Sequence, residues 1–463
     1  MIALLWREVV TNVRLWLAAG PLIGLTAGLL TVVFSLPSGG ESLAEEEVGL
    51  MDQYDATLLA FILLTSMAAT AVAVYQVSVR TRRRTAYLAV AGLPPTTASG
   101  HFTRQVLAVC SVASLAGIGV GWASAPAASQ FIAWASSGRD DLVGRTDTHA
   151  IVGAAVITFG VTLIASTRGA QVARDVEPVE AFKPQPFRPR RGARWRARIG
   201  VASGLGSLAA GVIALYLPAV RALHYQAVEA ANVGATWAAV MAALLAVFFA
   251  LTAPIYCPFL IRAWTFFVPE RRMPALFLGR RGAAYQAGRS LEAFNVILVG
   301  ALLVGAAISI YFARSALDPA GRGWVEARDV SGVVLAAVPV LIAMTSSVMT
   351  VLATARSREV EAQVLRLSGA TGRQVLVAGF AEAFILAVTA TAVALVGVAL
   401  VGLCVGLGLA RVDGSPEWPG TLGFDALVWL APLGVTVFGM LLVTLATLPS
   451  LVKGLRGPFA PTR

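Results

Sequence analysis

The chain has 463 residues, of which 57% are hydrophobic and 13% are charged. A soluble domain carries about 25% charged residues, so this composition excludes a chain of ordinary soluble domains. The net charge of +11 could indicate nucleic-acid binding, but the basic residues lie in short segments between apolar runs, which is typical of a membrane-topology signal. We therefore expect membrane lipids as partners, and no nucleic acid.

Apolar runs recur from one end of the chain to the other. A helix needs about 20 apolar residues to cross the hydrocarbon core, and its backbone has to satisfy its own hydrogen bonds there. The sequence therefore predicts an all-α integral membrane protein with about ten transmembrane helices. The predicted spans are residues 15–35, 56–77, 105–124, 150–167, 199–218, 237–260, 292–312, 331–354, 376–409 and 426–448. The ninth is longer than one crossing needs, so we expect its end to bend or project.

The lysines and arginines are divided very unequally between the two sides of these spans. The two terminal segments and the connections on their side hold 29 of the 36 basic residues. Because basic residues are retained on the cytoplasmic side, we expect both termini to be cytoplasmic in a bacterial cell membrane. No segment on the opposite side exceeds about 25 residues, which is too short for a separate folded domain.

Sequence motifs for catalysis or metal binding are absent. The three cysteines lie within apolar runs, and no CxxC pair or His/Cys cluster indicates a metal site. No Gly-Lys pair occurs anywhere, so the chain lacks the usual phosphate-binding loop of ATPases. We expect no cofactor in this chain and no enzymatic activity of its own.

The two halves of the chain contain a similar motif, in which a charged stretch leaves a span and leads through a short helix to a glycine turn. The copies lie at residues 82–94 and 358–371, and their leucines and glycines align pairwise: Leu88 with Leu365, and Gly92 with Gly369. Internal duplication is frequent in transporters. We expect two four-span repeats, at residues 1–182 and 271–463, separated by a basic linker and two central spans at residues 183–270.

The second copy, Arg358 to Gln374, followed by an apolar helix containing Glu382, resembles the signature of the FtsX-like permease family of ABC transporters. That pattern has a charged start, a leucine-rich short helix and then Gly-Ala-Thr. The first copy differs, because Gly92-Leu93-Pro94-Pro95 replaces Gly-Ala-Thr. The four-plus-two-plus-four arrangement is similar to the duplicated permeases of the bacitracin-resistance type. Those carry a large extracytoplasmic domain after the seventh span, where this chain has only residues 313–330.

The resemblance implies that the chain works with two copies of a separate ABC ATPase subunit, which would bind ATP and Mg²⁺. The short helices 82–93 and 357–369 would each insert into a groove on one ATPase, with leucines as anchors, glycines at the turn and charged residues at the rim. The expected contact residues are Arg84, Leu88, Gly92, Leu93, Glu359, Glu361, Leu365, Gly369, Ala370 and Thr371. The alternative is that both segments are ordinary membrane-flanking loops.

The expected function is export or extraction of a hydrophobic or amphipathic substrate, such as a lipid, a lipopeptide or an antimicrobial peptide. An alternative is a mechanotransmission or sensing subunit that controls a cell-wall hydrolase or a sensor kinase. An ion-coupled secondary transporter is less favoured, because the spans hold almost no ionisable residue apart from Glu382, whereas ion coupling needs such residues within the membrane.

Overall fold

The structure, a computed structural model, describes residues 19–35, 94–137, 148–174, 193–222, 227–267, 274–286, 291–315 and 361–410. It also describes single positions at residue 16 and within 66–77, 341–345 and 430–441. Helix is the dominant structure throughout this part of the chain, which contains no strand. The all-α prediction is confirmed for the residues described.

The described helices are α1 (Gly20–Ser35), α2 (Pro95–Ser137), α3 (Thr148–Arg174), α4 (Ala193–Ala222), α5 (Ala227–Trp264), α6 (Pro274–Gln286), α7 (Leu291–Ser315) and α8 (Gly372–Ala410). All except α6 coincide with predicted spans. Five contain stretches long and apolar enough to cross a membrane: Phe102–Ala128, Thr148–Thr167, Arg198–Pro218, Val233–Trp264 and Gly372–Gly408. The apolar parts of α1 and α7 are shorter. Most of the other three predicted spans lies outside the described residues, so the total of ten stays a prediction.

Hydroxyl side chains within these apolar helices bond back to their own backbone. Thr31 Oγ1 donates to the Ala27 carbonyl at 2.8 Å, and Thr162 and Thr389 donate to the carbonyls four residues earlier at 2.8 and 2.7 Å. A polar group without a partner costs several kcal/mol in hydrocarbon. These local bonds therefore allow Ser and Thr to lie in helices that are otherwise apolar.

Large apolar side chains cover the outer faces of α3 and α4. On α3 the exposed set repeats every three or four residues: Val152, Val156, Phe159 and Leu163. On α4 the equivalent set is Val201, Leu205, Leu208 and Val212. Soluble proteins rarely expose contiguous apolar stripes of this length, whereas such stripes match the hydrocarbon of a bilayer.

The chain forms two compact units. One comprises Met1–Arg188 with Ala320–Met349, and the other comprises Pro189–Pro319 with Thr350–Arg463. In the first unit, the predicted eighth span contributes Ile342 to a buried core that includes Leu22, Val74 and Phe102. The predicted division of the chain into two repeats and a central part is based on sequence similarity between its halves. These two units do not test it, so it stays a prediction.

In the first unit, α1 and α2 touch through their backbones. Gly24 and Gly28 on α1 face Gly117 and Gly121 on α2. A Cβ added at Gly28 would lie 2.9 Å from the carbonyl oxygen of Gly117. A Cβ added at Gly121 would lie 2.5 Å from the carbonyl oxygen of Gly28. Glycines four residues apart let membrane helices approach this closely, so the four glycines define the α1–α2 contact.

In the second unit, α8 is the central helix and packs against α4, α5, α6 and α7. It is the most buried of the five long apolar helices. Its 39 residues make it about 58 Å long, whereas the hydrocarbon core is about 30 Å thick. The prediction that the ninth apolar run is longer than one membrane crossing needs is therefore confirmed.

Helix α5 runs antiparallel to α8. Phe249 of α5 lies beside Gly397 of α8, and Trp264, the last residue of α5, donates from Nε1 to Thr389 Oγ1 at 3.1 Å. Thr389 lies about five turns into α8. The first turns of α8 therefore extend past the end of α5, and the short helix α6 packs along them.

Two prolines interrupt the hydrogen bonding of α5, at Pro254 and Pro258. Proline has no N–H, so Pro254 leaves the Ala250 carbonyl without its helical donor. Asn295 of α7 supplies a replacement, since its Nδ2 lies 3.2 Å from that oxygen. Tyr256 Oη in turn donates to the Phe249 carbonyl at 3.0 Å. The asparagine thus satisfies the carbonyl that Pro254 leaves free, and the tyrosine adds a bond to the carbonyl one residue before it.

Candidate partner-docking site

The candidate site is built on a short helix, residues 361–367, which is joined to α8 by a tight turn. The Ala370 N–H donates to the Leu365 carbonyl, and the Gly369 N–H donates to the Arg366 carbonyl, both at 3.0 Å. This pair of bonds is the Schellman motif, which ends a helix with a left-handed residue. Gly369 is that residue, with φ +96°, so the predicted role of this glycine in the turn is confirmed.

A capping box begins α8 directly after this turn. The Thr371 N–H donates to Gln374 Oε1 at 2.9 Å, and the Gln374 N–H donates to Thr371 Oγ1 at 3.3 Å. These reciprocal bonds satisfy two of the N–H groups that a helix start leaves free. Gly369, Ala370 and Thr371 therefore form one continuous hydrogen-bonded connection between the short helix and α8.

The short helix has a packed side and an exposed side. Ala362 is buried against Val375, and Leu365, Ala370 and Leu376 pack around them. On the other side, Val364 is 59% exposed and Leu367 is 69% exposed. Glu361, one turn before Val364, is also exposed. Residues three apart lie on the same helix face, so this side presents two apolar side chains beside a carboxylate.

Helix α6 supports the first turns of α8. A Cβ at Gly279 would lie 2.7 Å from the Ala381 Cβ, and one at Gly282 would lie 2.9 Å from Glu382 Oε2. The Glu382 carboxylate therefore lies against the backbone of α6 at Gly282. The guanidinium carbon of Arg281 lies 4.8 Å from the Phe277 ring centroid on the same helix, which is within cation–π range.

The structure brings together Glu361, Leu365, Gly369, Ala370 and Thr371 of the predicted contact set. Glu361 and Thr371 are exposed, whereas Leu365 is partly buried against its own chain. The other predicted residues, Arg84, Leu88, Gly92, Leu93 and Glu359, lie outside the described residues. Their contact with an ATPase, like that of the described residues, stays a prediction.

Sequence reasoning overlooked Val364 and Leu367, which are the exposed apolar residues of this helix. The available signal was the Gly-Ala pair at residues 369–370. In a Schellman motif, the apolar residue four positions before the glycine contacts the residue after the glycine. Leu365 therefore packs near Ala370, whereas Val364 and Leu367 on the opposite face are exposed.

The first copy of the motif enters its span differently. Pro94 is exposed, Pro95 begins α2, and the Thr97 N–H donates to the Pro94 carbonyl at 3.0 Å. Proline suits the first helical position, because its missing N–H would have no partner there. The Pro94-Pro95 pair therefore starts α2 in the place where a capping box starts α8.

Within the described parts of the chain, no group of three or more His, Cys, Asp or Glu side chains is arranged to hold a metal ion. The features of this region are instead an exposed apolar face, a fixed turn and a long apolar helix. Together with the five spans, they define a multi-pass all-α membrane protein with a structured segment at the entrance to α8. Comparisons with family models and with curated proteins gave no match.

Proposed function

We propose that the chain is the membrane-spanning permease subunit of an ATP-driven transporter, and that separate ATPase subunits dock on the exposed face of helix 361–367. The observation that carries the proposal is the pairing of Val364 and Leu367, both exposed, with a turn fixed by the Schellman motif and the capping box. An apolar helix face of this kind suits insertion into a groove of a partner. The Lys/Arg distribution favours a cytoplasmic location for this face, where ATP is available.

The connection to α8 supports a mechanical role for this helix. Movement of the short helix has to pass through Gly369, Ala370 and Thr371, which are held by backbone and capping bonds. Beyond them, α8 packs against every other described helix of its unit. A displacement by the ATPase would therefore reach α4, α5 and α7 through one continuous helix.

The proposed substrate is a hydrophobic or amphipathic molecule that enters from the bilayer and is exported or extracted. The predicted outer connections are short, which disfavours a capture domain, and the outer faces of α3 and α4 are apolar. The second candidate is a mechanotransmission subunit, which would use the same docking face to act on a membrane partner. Glycines let membrane helices pack closely, as they do between α1 and α2. The same kind of packing would allow such a partner to bind within the bilayer.

The test is co-purification of the full chain with an ABC ATPase encoded by a neighbouring reading frame. We expect Val364→Asp and Leu367→Asp each to reduce ATPase capture at least tenfold, because both place a charge on the apolar face. Leu278→Asp is the matched control, since it makes the same change at an exposed leucine of α6. Undiminished capture by both docking variants would overturn the proposal.

Reconstitution of the same complex separates transport from mechanotransmission. If the chain is an exporter, ATP should drive movement of a fluorescent lipid or lipopeptide between leaflets of proteoliposomes. ATPase activity that depends on the chain but moves none of these probes would favour the mechanotransmission role. Uptake driven by a proton gradient, with the chain alone, would favour an ion-coupled transporter instead.

A further inference from the structure

An exposed apolar stripe of α5 continues past the end of the helix. Ile255 is 75% exposed, Phe259 is 72% exposed and Phe266 is 72% exposed. Arg262, which is also exposed, lies between the two phenylalanines. The spacings of four, three and four residues place all four side chains on one side, so an arginine interrupts an otherwise apolar surface.

The residues after α5 expose two aromatic rings in a turn. Phe267 is 86% exposed, and its ring meets that of Phe266 edge to face, with centroids 5.9 Å apart. Trp264 has a different role, because its indole N–H is committed to Thr389. The two phenylalanines are therefore largely exposed and contact each other.

Arg262 is placed to meet an anion. It is the basic residue of the last turn of α5, and no described residue forms an ion pair or a hydrogen bond with its guanidinium. The six residues that follow Phe267 add two arginines and one glutamate. A long arginine side chain at the end of a membrane helix extends its charge towards the headgroups while its methylenes stay in the apolar region.

We propose that Arg262, with Phe259, Phe266 and Phe267, forms a contact site for an anionic phospholipid at the end of α5. The guanidinium would bind the phosphate, to which its donors are geometrically matched, and the three rings would lie against the acyl chains and the glycerol region. A lipid is the appropriate occupant because the surface is continuous with the exposed apolar stripe formed by Ile255 and Phe259, on a helix long and apolar enough to cross a membrane. The site does not depend on the proposed ATPase.

Binding of dioleoyl-phosphatidylglycerol to the purified full chain tests the proposal, with native mass spectrometry in detergent as the measurement. We expect preferential binding over dioleoyl-phosphatidylcholine, and about a fivefold loss of phosphatidylglycerol affinity in Arg262→Gln, which is the effect of one basic residue at an anionic surface. Arg262→Lys, which keeps the charge but not the planar donors, should lose less affinity than Arg262→Gln. Arg281→Gln is the control, because that arginine is exposed but lies over Phe277. Unchanged phosphatidylglycerol binding in Arg262→Gln would overturn the proposal.

A second measurement keeps the arginine in place. A photoreactive p-benzoylphenylalanine at position 267 should form adducts with phosphatidylglycerol in nanodiscs that contain equal amounts of both lipids. The same probe at position 205, where Leu205 is exposed on α4, should show no headgroup preference. Adducts at position 267 that show no preference either, or that form with protein only, would contradict an anionic-lipid site.

Discussion

Asn295 Nδ2 lies 3.2 Å from the backbone carbonyl oxygen of Ala250, the carbonyl that Pro254 leaves without its helical donor. The bond joins α7 to α5 at the position where α5 lacks its own hydrogen bond. The other amide atom, Asn295 Oδ1, is buried and has no hydrogen-bond partner among the described residues. The asparagine therefore satisfies a backbone group of α5 while one of its own acceptors stays unsatisfied.

We expect Asn295→Leu to destabilise the protein by about 1 kcal/mol, which is within the range measured for side-chain hydrogen bonds between membrane helices. The lost bond leaves the Ala250 carbonyl unpaired, whereas removal of the buried Oδ1 offsets part of that cost. Thermal unfolding in detergent or equilibrium unfolding in mixed micelles measures the change.

A double-mutant cycle isolates the contribution of this pair. Pro254→Ala restores an N–H that can donate to the Ala250 carbonyl, so Asn295→Leu should cost less in the Pro254→Ala background than in the native chain. Strictly additive effects of the two substitutions would show that the asparagine does not compensate for the proline.

Gly369→Ala should destabilise the turn before α8 by about 1–2 kcal/mol, since its φ of +96° lies in a region that L-residues with a Cβ enter at a cost. Gly160→Ala is the matched control, because Gly160 lies within α3 with nothing within 4 Å of an added Cβ. That change should be neutral or stabilising, because alanine favours helix. Thermal unfolding of the two variants measures the difference, and equal effects would argue against a strained glycine at position 369.

Gly117→Ala should disrupt the contact between α1 and α2 and cost at least about 2 kcal/mol. The new Cβ would overlap the backbone of Gly24, which cannot move aside as a side chain could. Gly119→Ala provides the control on the same helix, where nothing lies within 4 Å of the Cβ. The yield of monodisperse protein and its unfolding temperature should fall for the first variant only. If both variants behave like the native chain, the glycine contact does not hold α1 against α2.

Thr371→Ala should remove one of the two reciprocal bonds that begin α8 and cost about 1 kcal/mol. Gln374→Ala removes the other bond, and the double variant should cost less than the sum of the single ones, because the two side chains act as one cap. Hydrogen exchange at the first turn of α8 measures the effect locally. Protection that is unchanged in Thr371→Ala would contradict the capping box.

Sequence alone predicted those parts of the fold that depend on local pattern. Apolar runs of sufficient length predicted the helices now seen as α1 to α5, α7 and α8, and the glycine after a leucine-rich segment predicted the turn at Gly369. Pairings between distant segments were not predictable. The contacts of Asn295 with Ala250 and of Gly24 with Gly117 depend on which helices become neighbours, and one sequence contains no local signal for that.

The short helix before α8 was predicted in position, but which of its faces is exposed was not. Leu365 was expected to be an anchor for a partner, because it aligns with Leu88 in the two copies of the motif. The structure packs it near Ala370 and exposes Val364 and Leu367 instead. The hydrogen bonds of the turn decide this orientation, and they become visible only with the φ angle of Gly369.

Site-specific photocrosslinking from the short helix to the ATPase tests whether the partner docks on the exposed face of helix 361–367. With p-benzoylphenylalanine at position 367 of the full chain, we expect a covalent adduct with the co-expressed ATPase, whereas the same probe at position 365 should give little or none. Adducts at position 364 should match those at position 367, since both residues share the exposed face. Absence of ATPase adducts at both 364 and 367, in a chain that still co-purifies with the ATPase, would contradict docking at this face.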